Sequence, residues 1–135
     1  VGWVSFNCVN SGTSGCSGAG FYYNVQTSAG GESEVAIIES SVFDTGNDQV
    51  VFNSITWQGS LNGGTVQFEL ATSNSVNGPW NYSVVTPTPV ASQPRRLSGS
   101  QYVNRRYIRY RITLNSDVWQ TASPKIDDVI INWSP

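Results

Sequence analysis

Apolar and polar residues alternate with a period of two in segment after segment of this 135-residue chain. That alternation restricts it to β-strands with one buried face. In Thr65-Val-Gln-Phe-Glu-Leu, residues Val66, Phe68 and Leu70 fall on one side and Thr65, Gln67 and Glu69 on the other. Over 105–114, Ile108, Tyr110, Ile112 and Leu114 form the row predicted to be buried. Arg105, Tyr107, Arg109 and Arg111 form the outer row. No long stretch carries the i, i+3, i+4 recurrence of an amphipathic helix. The pattern predicts strands near 1–7, 21–27, 34–39, 50–58, 65–72, 79–85, 102–114 and 125–133, with a further short one within 40–44. One face packed and one wet is the signature of an antiparallel sandwich, here of about eight to nine strands and no substantial helix.

The turns punctuate this pattern. Leu61-Asn-Gly-Gly is a hairpin signal, because Asn and Gly tolerate positive φ, and Asn77-Gly-Pro-Trp predicts a second turn. Residues 86–100, with Pro87, Pro89 and Pro94, read as a long surface loop outside the sheet interior. No internal repeat or linker divides the chain, so 1–135 is expected to be one domain.

Charged residues make up 12% of the chain and the net charge is −2. Nucleic acid, whose binding depends on many Lys and Arg contacts to phosphate, is not an expected partner. No apolar run approaches the ~18 residues of a membrane span. Cys8 and Cys16 flank a loop rich in Gly and Ser. A disulfide there would stabilise by roughly 2–3 kcal/mol, and zinc would need four ligands in a chain that has no histidine. The pair is read as a disulfide, with two free thiols as the alternative. A disulfide implies an oxidising, extracellular setting, and with no signal peptide at the start of the sequence, the expectation is that any leader has been removed.

The absence of histidine also removes the general base of Ser-His-Asp and Cys-His arrangements. Two carboxylates would suffice for glycoside hydrolysis. Each candidate, however, has a plain structural reading: Asp44 and Asp48 in a turn, Glu69 facing out beside a basic strand, Asp127 and Asp128 alternating along a strand. The chain is therefore not expected to be an enzyme.

Three other constellations have both a functional and a structural reading. Asp44, Asn47 and Asp48 place oxygen ligands in one short loop, which suits a structural calcium or, equally, an Asx-type turn with solvated acids. Trp80 and Trp119 lie in predicted loops, where they could stack on sugar rings while Asn81, Gln120 and Asn115 hydrogen-bond hydroxyls; otherwise they cap the sandwich. Trp3, Trp57 and Trp133 lie in strand patterns and are expected in the core. The Arg105, Tyr107, Arg109, Arg111 row could grip an acidic polysaccharide or a neighbouring subunit, or form a cross-strand ladder with acids such as Glu69.

Four blocks carry a resemblance: Val42-Phe-Asp-Thr-Gly; Ile55-Thr-Trp-Gln-Gly-Ser-Leu; Thr65-Val-Gln-Phe-Glu-Leu-Ala-Thr-Ser with Gly78-Pro-Trp; and Arg106-Tyr-Ile-Arg-Tyr-Arg-Ile-Thr-Leu followed by Pro124-Lys-Ile-Asp-Asp-Val. On these, 42–133 resembles the core of bacterial surface domains of the discoidin-like, or galactose-binding-like, sandwich type, of jelly-roll character. Residues 1–30 then add N-terminal strands and the Cys8–Cys16 loop. Gly2-Trp-Val-Ser-Phe-Asn-Cys and Asp127-Asp-Val-Ile-Ile-Asn-Trp-Ser-Pro are similar to the ends of the C-terminal β domains of type IV pilin-like proteins from candidate-phylum bacteria of the Parcubacteria type. That group carries an N-terminal prepilin helix, and the present sequence starts where the β domain would start. The resemblance implies a structural or adhesive module at the cell surface, self-associating or seated among neighbouring subunits. A monomeric carbohydrate-binding module using the loop tryptophans is the alternative.

Overall fold

The computed structural model describes residues 2–6, 23–24 and 35–135. The expected Cys8–Cys16 bridge, the remainder of the 21–27 strand and the side chain of Trp3 lie outside the described residues. The protein is an all-β antiparallel sandwich. In chain order the strands are β1 (Gly2–Phe6), β2 (Tyr23–Asn24), β3 (Val35–Glu39), β4 (Phe43–Asp44), β5 (Val50–Ser60), β6 (Thr65–Ser73), β7 (Ser83–Val84), β8 (Arg95–Arg96), β9 (Val103–Arg105), β10 (Tyr107–Asn115) and β11 (Lys125–Ser134). A 3₁₀ turn, Ser100–Tyr102, precedes β9.

One sheet runs β1–β11–β5–β8, with β2 also on β11 and β9 on β5; the other runs β3–β10–β6–β7, with β4 on β10. The inner faces are those the alternation predicts. Val66, Phe68 and Leu70 of β6 and Ile108, Tyr110, Ile112 and Leu114 of β10 are buried against Phe52, Ile55 and Trp57 of β5 and Ile126, Val129 and Ile131 of β11. Trp57 meets Phe68 across the sheets with ring centroids 5.8 Å apart. Trp133 packs at the margin of this core, partly buried.

Two bulges keep the long strands in phase with the core. Strict alternation would put Phe52 and Ile55 on opposite faces, as it would Ile126 and Val129. The β5–β11 register slips between Asn132 and Trp133, leaving Asn53 as the extra residue, and again between Ile126 and Asp128, leaving Asp127. Each insertion reverses the alternation, and all four side chains point inward. The Asn53 carbonyl is then taken up by the Leu97 N–H at 2.8 Å.

The hairpin between β5 and β6 closes as its sequence predicts. Asn62 and Gly63 adopt φ of 50° and 85°, and the Gly64 N–H donates to the Leu61 carbonyl at 2.8 Å. Two expectations are corrected. Segment 86–100 is more than a surface loop: Arg95 and Arg96 pair with Ile55 and Ser54, and Pro89 and Leu97 are buried. The predicted strand 102–114 is two strands on different sheets, β9 against β5 and β10 against β6. The chain crosses at Arg106, a corner made by a strand that switches sheets. The Asn74 amide secures the corner by accepting the Arg106 N–H at 2.8 Å and donating to the Asn104 carbonyl at 3.0 Å. Asn104 itself takes φ 54°.

Candidate functional site

On the outer face of the β3–β10–β6–β7 sheet, side chains separated widely in sequence meet over β10. The Arg111 guanidinium donates two hydrogen bonds of 2.9 Å to the Glu69 carboxylate on β6, and the Tyr82 ring lies over it with its centroid 4.2 Å from Cζ. Arg109 pairs with Glu39 of β3, donates to the Ser40 carbonyl at 2.9 Å, and has the Trp80 ring centroid 5.6 Å away. At the corner, Arg106 binds both oxygens of Asp44, at 2.8 and 2.9 Å, and stacks on Tyr107 at 5.1 Å. Each of these three cations thus has a carboxylate on one side and an aromatic face on another, and charge-assisted hydrogen bonds and cation–π attraction act together.

The electrostatics follow this geometry. The hydrogen bonds from Arg111 hold the Glu69 carboxyl below its ordinary value against the opposing effect of burial. Arg106, helped by the Gly46 N–H, does the same for Asp44. Burial pushes the Tyr82 phenol up. The cross-strand ladder predicted for this row is present in Arg111–Glu69. Membership of the row needs one correction: Arg105 lies in β9 on the other sheet, opposite Val50, so it does not join Tyr107, Arg109 and Arg111.

Trp80 belongs to this face. It is half-buried over Arg109, with Asn81 exposed beside it, and is not a rim aromatic standing clear of the protein. Its expected companion, Trp119, follows the far end of β10, six residues or about 20 Å of strand beyond Arg109 at Asn115. The two tryptophans do not form one platform. Glu39 and Tyr82, which complete the ladder, were not singled out by the sequence. The alternating Trp80-Asn-Tyr82 was the available signal.

The candidate calcium loop has other uses for its oxygens. Both Asp44 carboxylate oxygens face Arg106, Asn47 Oδ1 accepts the Gln49 N–H at 2.9 Å, and Asp48 is exposed. Among the described residues no three acidic side chains gather. Asp127 pairs with Lys125 at 3.1 Å.

The second distinctive region is the hairpin end of the sandwich, where β5 and β10 finish and β6 and β11 begin. Asp117 organises the loop there. Its carboxylate accepts the N–H groups of Thr121 and Ala122 at 2.7 and 2.9 Å and the Thr121 hydroxyl at 2.9 Å. Its own N–H donates to the Ala122 carbonyl at 3.0 Å. These hydrogen bonds, the Ala122 N–H foremost, lower the Asp117 pKa. Asn62 ties the hairpin to the same loop through the Ser123 carbonyl at 2.9 Å. Gln120 turns the chain with φ 54°. The result is a braced tip that carries Val118 and Trp119 outward, each 81% exposed. At the same end Trp57, Leu61, Val66, Thr88, Pro89, Val90 and Ala91 line an apolar cavity of about 280 Å³. Trp57 fixes its wall by donating its indole N–H to the Pro89 carbonyl at 2.9 Å. The sequence pointed to Trp119 but not to Val118 or to this cavity, whose lining comes from three separate segments.

No helix among the described residues is long and apolar enough to cross a membrane. Compared with known proteins, the chain matches no family model, no curated protein and no solved structure.

Proposed function

We propose that this chain is an extracellular, non-catalytic structural module that associates with copies of itself or with neighbouring subunits at a cell surface, in the manner of a pilin-like or filament subunit. The observation that carries the reading is the braced Val118–Trp119 tip, 81% exposed at both residues. Leaving a Trp and a Val in water forgoes burial that contributes ~1.5–3 kcal/mol for a large apolar side chain, and a loop that holds them there by four hydrogen bonds to and from Asp117 resists their folding back. Exposed apolar groups on a rigid support suit contact with another protein. The arginine face supports a structural role by a different route, since its cations are engaged within the chain. The cell-surface setting rests on the resemblance to pilin-like domains and on the Cys8–Cys16 reading. Sedimentation velocity over a concentration series, with negative-stain electron microscopy of the same samples, tests this. Mass rising with concentration, or regular assemblies on the grid, is expected, and a monomer throughout would overturn it.

A specific observation also favours the glycan-binding alternative: the indole of Trp119 is open to a sugar ring, with Gln120 beside it. Under that reading a saccharide quenches or shifts Trp emission in the wild type and not in Trp119→Ala, and the protein stays monomeric.

A further inference from the structure

The hairpin end holds both an apolar projection and an apolar cavity. The projection is Val118–Trp119, whose exposure of 81% means that it does not occupy the cavity of its own chain. The cavity, about 280 Å³, is rimmed by Leu61 and Val90, themselves 43% and 54% exposed. A cavity of roughly 150 Å³ accommodates a benzene ring, so this one has room for an indole. Its lining is apolar except for Thr88, with Trp57 and Pro89 buried and Leu61 and Val90 the exposed apolar contacts.

Charge points the same way. Across 57–66, 86–94 and 116–124, the segments that build the cavity and the tip, the sole charged side chain is Asp117. Its carboxylate is turned into its own loop. Two such ends can therefore meet without burying an unpaired charge in the contact.

We infer that the hairpin end is a self-complementary interface in which the Trp119 side chain of each copy enters the Trp57–Leu61–Val66–Pro89–Val90–Ala91 cavity of a second copy. Because projection and cavity share one end, two chains meet end to end about a two-fold axis, and both insertions form together. Such an isologous contact is closed. Any longer assembly adds a second surface elsewhere on the sandwich. The inference rests on the self-association reading and gives it an address.

The test uses the whole chain and two exposed substitutions, Trp119→Ser in the projection and Val90→Asp at the cavity rim. Circular dichroism and melting first establish that both variants fold. In equilibrium sedimentation each is expected to weaken self-association at least tenfold. A mixture of the two retains one intact insertion, the Trp119 of the Val90→Asp chain in the cavity of the Trp119→Ser chain, and associates more strongly than either variant alone. If the wild type associates but both variants match it, or if the mixture is no stronger than its components, the interface is elsewhere; the inference falls while the self-association reading stands. A wild type that remains monomeric at the highest attainable concentration removes both.

Discussion

Trp57 meets two demands at one position. Its ring, 1% exposed, joins the sheets through Phe68, and its N–H satisfies the carbonyl of Pro89. Trp57→Phe keeps most of the ring and deletes the donor, leaving the Pro89 carbonyl without its partner; this costs about 1–3 kcal/mol. Urea unfolding should show a lowered midpoint at constant slope. A loss below about 0.5 kcal/mol would mean that water replaces the indole. At this scale the sequence sorted Trp57 and Trp119 well, because a strand pattern and a turn pattern imply burial and exposure. It gave Trp80 its loop but not its partner Arg109, because nothing local in Gly78-Pro-Trp announces a residue 29 positions away in the chain.

At the scale of elements, β10 carries the ladder through alternation alone: every inward residue is apolar, which leaves Arg109 and Arg111 to face the acids of its two neighbours. Glu69 and Asp44 both titrate below their ordinary values of 4.5 and 3.8. A carboxyl depressed in the folded state contributes stability that is complete above its ordinary pKa and is lost as pH falls through the lower folded value. Melting temperature is therefore expected to drop as the solution is acidified below about pH 4.5. Glu69→Gln should melt below the wild type at neutral pH and converge with it in strong acid, where Glu69 is itself protonated. A difference that persists unchanged into acid would show that Glu69 acts through its shape and not its charge. The rows of this ladder were legible in the sequence because period two is local. The break between β9 and β10 was not, because the groups that turn the corner at Arg106 are Asn74 and Thr45, 32 and 61 residues away. The bulges at Asn53 and Asp127 were equally hidden, since neither residue type marks a bulge and only the pairing with the opposite strand reveals it.

For the molecule as a whole, exposed apolar side chains such as Ile37, Val84 and Val103 stand among the charged groups of the sheets, whereas one end of the sandwich is almost free of charge. Asp44, Asp48, Arg105 and Arg106 gather where β4 and β9 lie, and Glu39, Glu69, Arg109 and Arg111 spread across one outer face. The opposite end carries the Val118–Trp119 tip and the apolar cavity with Asp117 alone among charges, ahead of the paired Lys125 and Asp127 that open β11. The two surfaces make opposite predictions for the salt dependence of any self-association. A contact built from ionic groups on the ladder face is screened as the Debye length shrinks from about 10 Å at 0.1 M to 3 Å at 1 M, and weakens accordingly. A contact made by indole insertion at the hairpin end buries apolar surface and is indifferent to that screening; sulfate, which strengthens apolar burial, should reinforce it. The association constant is thus expected to hold steady from low to high sodium chloride and to rise in ammonium sulfate. A steep fall with sodium chloride would transfer the interface to the arginine face, where the pairs now closed within one chain would have to exchange between two.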